Sequence, residues 1–214
     1  MASLPEQCRL HLTESLRECV QAHPHERCCI ILSGGVDTSA IACAAAAAGI
    51  PIDGAITVFA SDTATDRPYA GLAAQALNLK HHVIEVTLTE LLARRLPFCV
   101  RALRTFDGME LRNALVVAEA LQHAAQLGFQ LAITGDAADE LLGGYRFTWG
   151  SDDPVWSEKR SQMCSQWTFC APRLAAAIPG SLLAADSPYM RDSFKAWALR
   201  STSKAACILS LIHI

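Results

Sequence analysis

Cys28 to Leu32 is an unbroken apolar run that stops at Ser33-Gly34-Gly35. A helix-forming, alanine-rich stretch, Asp37 to Ala48, begins directly behind it, with Gly49 as its stop. A strand with no polar residue offers no face to water, so it must be covered on both sides. That requirement points to the interior of a parallel sheet, with the glycines at the turn from strand to helix.

The same alternation continues along the chain. A helix is expected over residues 5–22, where Leu12, Leu16, Cys19 and Val20 share one face, ending at His23-Pro24-His25. Ala55 to Ala60 reads as a second strand. Tyr69, Leu72, Ala73, Ala76 and Leu77 form a helical stripe after it, and Val83 to Val86 reads as a third strand. Helices follow at Thr89 to Arg95 and along Leu111, Ala114, Leu115, Ala118, Leu121 and Ala125, the second ending at Gly128. Leu131 to Thr134 is a fourth strand, and Ala138 to Leu142 opens another helix. Strand and helix in strict alternation predict an α/β fold. It is a Rossmann-like (HUP-type) parallel sheet with helices on both faces and ligands at the strand C-terminal ends. This domain is expected over residues 1–150, with 151–208 as a helical continuation of it.

Composition excludes several classes. The 214 residues carry a net charge of −3, which gives no basic groove for nucleic acid and no attraction to an acidic membrane. The longest apolar stretch, Ala40 to Ile50, falls short of the roughly 20 residues that span a bilayer. Glu6, Glu14 and Glu18 fit poorly with a targeting peptide. The nine cysteines include no C-x-x-C pair, so they read as reduced thiols in a cytoplasmic protein.

Ser33-Gly34-Gly35-Val36-Asp37-Thr38-Ser39 carries the first chemistry. Glycines let the backbone approach an anion, and the following helix presents free N–H groups and the positive end of its dipole. Ser33, Thr38 and Ser39 add hydroxyls, completing a nest for pyrophosphate. Asp37 would repel that anion, so its natural role is to hold Mg²⁺ against it. A plain capped Gly-Gly turn is the alternative for the glycines alone. The Walker pattern G-x-x-x-x-G-K-[ST] is absent.

The second motif, Thr134-Gly135-Asp136-Ala137-Ala138-Asp139-Glu140-Leu141-Leu142-Gly143-Gly144-Tyr145, follows the fourth strand. Acidic capping of a helix accounts for one or two carboxylates there, but not for glycines on both sides. In a sheet of order 3-2-1-4-5 the loops after strands 1 and 4 open on one crevice. Asp37 and Asp139 would then face each other and could grip one Mg²⁺.

The first motif resembles the pyrophosphatase loop (PP-loop) of the N-type ATP pyrophosphatases. That superfamily includes asparagine, argininosuccinate, GMP and NAD synthetases and tRNA-thiolating enzymes. The second resembles SGEGADELFGGY, the signature of the asparagine synthetase domain and its β-lactam and carbapenam synthetase relatives. Asn78-Leu79-Lys80-His81-His82 is similar to that family's LG-x-x-H. Ser187 to Phe194 is similar to its VPFLDxxF, with Arg191 at the Asp position and Asp192 one later.

The resemblance implies an ATP-dependent amide-forming ligase. It would adenylate a carboxylate, by likeness the side chain of aspartate, and ammonia would displace AMP. It implies ATP and Mg²⁺ as cofactors. Ser33, Gly34, Gly35, Asp37, Thr38 and Ser39 fall on the pyrophosphate loop, and Asp37 and Asp139 on the metal carboxylates. Leu32 and Gly135 fall where backbone meets AMP. Asp136 falls where the family has a Glu implicated in the amide-forming step, one CH₂ longer. Another PP-loop ligase, a cyclase of the β-lactam synthetase type and a nucleotide-binding pseudo-enzyme are the alternatives.

The family's glutaminase half needs a cysteine after the initiator Met, where this chain has Ala2. Ammonia would therefore come from solution or from a separate glutaminase domain or subunit. Lys204 matches an earlier family lysine, so the catalytic one is expected further on. Leu209 to Ile214 resembles a translated sequencing adaptor, which makes residues 209–214 a possible non-native tail, a native apolar tail being the alternative.

Three groups read as structural. His81-His82 have no partner at metal-ligand spacing and suit a strand edge. Trp149, Trp156, Trp167 and Trp197 suit helix packing rather than base stacking. Arg94, Arg95, Arg101 and Arg104 read as a solvated face.

Overall fold

The computed structural model describes residues 3–23, 27–60, 67–148, 153–166 and 169–200. Its elements, in chain order, are α1 (Leu4–Ala22), β1 (Cys28–Ile31), α2 (Val36–Ala47), β2 (Gly54–Phe59), α3 (Arg67–Ala76), β3 (His81–Glu85), α4 (Leu88–Leu103) and α5 (Gly108–Gln126). They continue with β4 (Leu131–Ile133), α6 (Ala138–Leu142), a 3-10 turn at Arg146–Thr148, α7 (Asp153–Gln166), α8 (Cys170–Ala176), β5 (Ala184–Asp186), a 3-10 turn at Pro188–Met190 and α9 (Asp192–Arg200).

The five strands form one sheet in the order β3-β2-β1-β4-β5, every pair parallel. Side chains alternate across it, as the pleat demands. Cys28, Ile30, Leu131 and Ile133 enter a core with α1, α2, α3, α6 and α9. Cys29, Ile56 and Ala132 enter a second core with α4, α5 and α8. The fully apolar run of β1 is thus the centre of the sheet, covered on both sides.

Several expectations are corrected. In α3 the buried residues are Ala70 and Ala74, while Tyr69 and Leu72 are 61% and 60% exposed. Two stripes fit a 3.6-residue period here, and the one with smaller side chains lies against the sheet. Helix α4 runs past Arg95 and through Pro97, because Leu91, Cys99 and Leu103 are buried against α5; a capping box of Thr87 and Glu90 starts it. Packing there outweighs the hydrogen bond that proline forgoes. Arg95 is not on a solvated face; it is 14% exposed and donates to Glu119 and Gln122 on α5.

The chain after 150 is not purely helical, since β5 completes the sheet beside β4. Trp156 is fully buried and Trp197 stacks on His11, as packing residues. Trp149, Trp167, Lys204 and residues 209–214 lie outside the described residues. Eight described cysteines are unpaired thiols. Among the described residues no helix is long and apolar enough to cross a membrane.

Candidate functional site

The loops after β1 and β4 meet at the C-terminal edge of the sheet, as the strand order requires. At Gly34 the first loop turns with φ 88°, a conformation that disfavours a side chain. Helix α2 begins two residues later, so the loop lies over the N–H groups of its first turn. Ser33 Oγ accepts from the Gly35 N–H at 3.1 Å and lies 3.1 Å from Thr38 Oγ1, which in turn accepts from the Ser33 N–H at 3.2 Å. The donors expected to cradle an anion are thus brought together and satisfy one another. The Ser39 N–H donates to Gly35 O at 3.2 Å.

Leu32 is buried and held from both sides. Its N–H donates to Ile56 O at 2.8 Å, and its carbonyl accepts from Thr57 Oγ1 at 2.6 Å. Beside it lies a cavity of about 200 Å³ at the C-terminal ends of β1 and β2. Leu32, Ser33, Thr57 and Phe59 line it together with Val116 and Ala120 of α5.

The second loop packs directly on the first. A Cβ at Gly135 would come within 3.0 Å of Thr38 Cγ2 and 3.4 Å of Asp37 Cβ, so glycine permits the approach. A Cβ at Gly144 would overlap the Asp139 carboxylate, so the glycine there leaves the room that Asp139 occupies. Glu140 is buried and accepts from Tyr145 Oη at 2.7 Å. Asp136 accepts from Thr134 Oγ1 at 3.1 Å.

Every carboxyl of this cluster sits above its ordinary range. Asp37 is pushed up to about 7 by burial, then by the charges of Asp139 and Glu140. Burial pushes Asp136 up to about 6, against the Thr134 hydrogen bond. Asp139 is raised by burial; so is Glu140, partly offset by Tyr145. Buried carboxylates crowded in this way repel one another, and a cation between them would relieve the repulsion.

Among the described residues no three His, Cys, Asp or Glu side chains form a ready-made metal cage. Mg²⁺ needs none, because one or two carboxylates commonly hold it while phosphate oxygens and water complete the octahedron. The hard oxygen pair Asp37 and Asp139 fits that pattern.

A segment distant in sequence braces both loops. Ser187 Oγ donates to the Asp136 carbonyl at 2.7 Å, and Tyr189 Oη donates to the Asp37 carbonyl at 3.0 Å. Both residues are fully buried, and Phe194 meets the Tyr189 ring edge-on at 5.1 Å. Arg191 forms an ion pair with Asp186 and also donates to Cys19 Sγ. In the sequence this segment is only a diverged motif; the contacts that give it a role span 51 and 152 residues.

The asparagine synthase family profile matches residues 8–208. The chain belongs to the asparagine synthase family. Members of that family are ATP-using enzymes, and the match runs through both loops and the brace. No curated protein matches the chain. Among solved structures, the U34-tRNA thiolase NcsA from Methanococcus maripaludis, determined with its [4Fe-4S] cluster, aligns with a TM-score of 0.49 and 12% identity. That alignment covers 90% of this chain and 64% of the thiolase, so the chain accounts for under two thirds of the thiolase's length.

Within the asparagine synthase signature one position now has a geometric meaning. Ala137 stands where SGEGADELFGGY has its second glycine, and its backbone takes φ 77°. An L-residue with a Cβ is strained there by about 1–2 kcal/mol.

Proposed function

We propose that this member of the asparagine synthase family binds ATP between the loops after β1 and β4 and adenylates a carboxylic acid, by resemblance the side chain of aspartate. The observation that carries the reading is the meeting of Asp37 and Asp139, from separate loops, beside a glycine-turned helix start. Leu32, Thr57 and Phe59 would hold the base in the adjoining cavity. Ser33, Gly34, Gly35, Thr38 and Ser39 would open their mutual bonds to receive the β- and γ-phosphates. Asp37 and Asp139 would hold Mg²⁺, which when bound offsets charge on the departing pyrophosphate.

The acceptor carboxylate attacks the α-phosphorus, forming the acyl-adenylate and releasing pyrophosphate. Ammonia then attacks the acyl carbon and AMP leaves. The nitrogen sheds one proton in that step. Asp136, ionised at neutral pH with Oδ2 engaged by Thr134, can take it on Oδ1. Its side chain is one CH₂ shorter than the family's glutamate, so the acceptor must sit correspondingly deeper. Ammonia is free or supplied by a separate glutaminase domain or subunit, and unpaired thiols suit a cytoplasmic setting.

The decisive experiment is calorimetry of Mg-ATP binding to wild type and Asp37→Ala, followed by pyrophosphate release with aspartate and ammonia. The expected result is a large loss of affinity in the variant and release dependent on both substrates. Equal affinity in the two proteins overturns the reading.

A further inference from the structure

Thr57 is the one buried hydroxyl of β2, 2% exposed, and its side chain stands between two partners. Its Oγ1 donates to Leu32 O at 2.6 Å and lies 2.8 Å from His81 Nε2. A hydroxyl has a single proton, and here it is committed to Leu32. His81 must therefore donate Nε2–H to Thr57, which fixes the tautomer of its neutral ring. The chain of bonds runs from the edge strand β3, through β2, to the last peptide of β1 before the loop. Since the Leu32 N–H is bound to Ile56 O, that peptide is held at both ends. A carbonyl has two lone pairs, so one of Leu32's remains, in a residue lining the cavity.

We infer that Thr57 and His81 are positioning residues that fix the Leu32 carbonyl as an acceptor for the amino group of the bound base, and so select adenine over guanine nucleotides. The inference rests on ATP being the substrate. Adenine carries an amino donor where guanine carries a keto acceptor, and a keto oxygen against a fixed carbonyl is repelled. Discrimination of this kind is built by leaving the wrong partner unpaired.

The test pairs Thr57→Val, which keeps the shape and loses the hydroxyl, with Thr57→Ser, which keeps the hydroxyl. Melting temperature confirms that each variant folds. Calorimetry then compares ATP, GTP and Mg-pyrophosphate. In Thr57→Val, ATP should bind about 5- to 10-fold more weakly, the loss expected for one hydrogen bond. GTP and Mg-pyrophosphate should be little changed, so the ATP:GTP ratio falls by the same factor, and Thr57→Ser should restore it. Without any ligand, imidazole ¹⁵N shifts should report the Nε2–H tautomer of His81 in wild type and Thr57→Ser, and a tautomer mixture in Thr57→Val. An unchanged ATP:GTP ratio in Thr57→Val, or a wild-type His81 protonated on Nδ1 alone, overturns this inference and leaves ATP binding standing. A folded wild type that binds no ATP overturns the functional reading itself.

Discussion

The two loops of the site are built from opposite materials. The loop after β1 offers hydroxyls and backbone N–H groups, already bonded to one another, with a single carboxylate at Asp37. The loop after β4 offers Asp136, Asp139 and Glu140, all held above their ordinary pKa, and one strained backbone position at Ala137. The first half is mostly neutral donors that satisfy one another; the second is crowded with carboxyls. Nucleotide and metal would bind as a unit because each half lacks what the other component brings.

Single substitutions should separate the halves. Replacing Asp139 or Asp37 by Ala should slow pyrophosphate release by about 10²–10³, the range seen when one electrostatic partner of a reaction is removed. Ser33→Ala should cost only about 5- to 10-fold, since its hydroxyl is one neutral donor among several. Steady-state pyrophosphate assays of the three variants decide the matter, and equal losses in Ser33→Ala and Asp139→Ala would erase the distinction between the loops.

Gly144→Ala should approach the Asp139→Ala defect without touching a carboxylate. The new methyl overlaps the Asp139 side chain, so it must displace that side chain or shift the backbone. Release at saturating Mg-ATP is the readout; near-wild-type turnover would mean that the position of Asp139 is unimportant.

The pH dependence should come from Asp37, the one carboxyl of the β1 loop, which burial and then the charges of the β4 loop hold high. Asp37 has its native pKa near 7 against an ordinary 3.8, so it takes up a proton as pH falls through 7. Mg²⁺ affinity should drop about tenfold per pH unit below that point, with proton release on binding visible as buffer-dependent heat in calorimetry. The sign for stability is the reverse. Between about pH 4 and 7 the native state binds more protons than the unfolded chain, so the metal-free protein loses stability as pH rises across that window. Asp37→Asn should remove the upper part of that slope in metal-free melting curves, leaving the share of Asp136, Asp139 and Glu140. A Mg²⁺ affinity flat from pH 5 to 8 would contradict the raised carboxyl.

The smallest expected effect is Ala137→Gly. Relieving a positive φ should gain about 1 kcal/mol, less the entropy that glycine adds to the unfolded chain, or a rise in Tm of at most about 2–4 °C. A fall in Tm would show that the Ala137 conformation is not strained.

Much of this was legible in the sequence because short apolar runs and glycine-punctuated turns state their own geometry. The first four strands follow from pattern, and the strand order taken for such a fold is the one observed, which brings the loops of Asp37 and Asp139 together. The role of Gly144 was not legible, because sequence records neither side-chain clearance nor φ. The same holds for Ala137, whose side chain gives no sign of a left-handed turn. Strand β5, three residues of Ala-Ala-Asp, is too short to carry a period and is recruited by pairing with β4. The burial of Arg95 is not visible in the sequence because its partners Glu119 and Gln122 lie on another helix. Ser187 and Tyr189 reach carbonyls 51 and 152 residues away, and no local rule spans such a gap.

That last separation has a consequence for how the protein is made. The ribosome releases the chain from its N-terminus, so the loop at residues 33–39 emerges long before Tyr189. Until that tyrosine arrives, the Asp37 carbonyl lacks its hydroxyl partner, and β1 lacks the neighbour β4 for most of the same interval. The two loops are therefore braced only on chains translated nearly through the described structure.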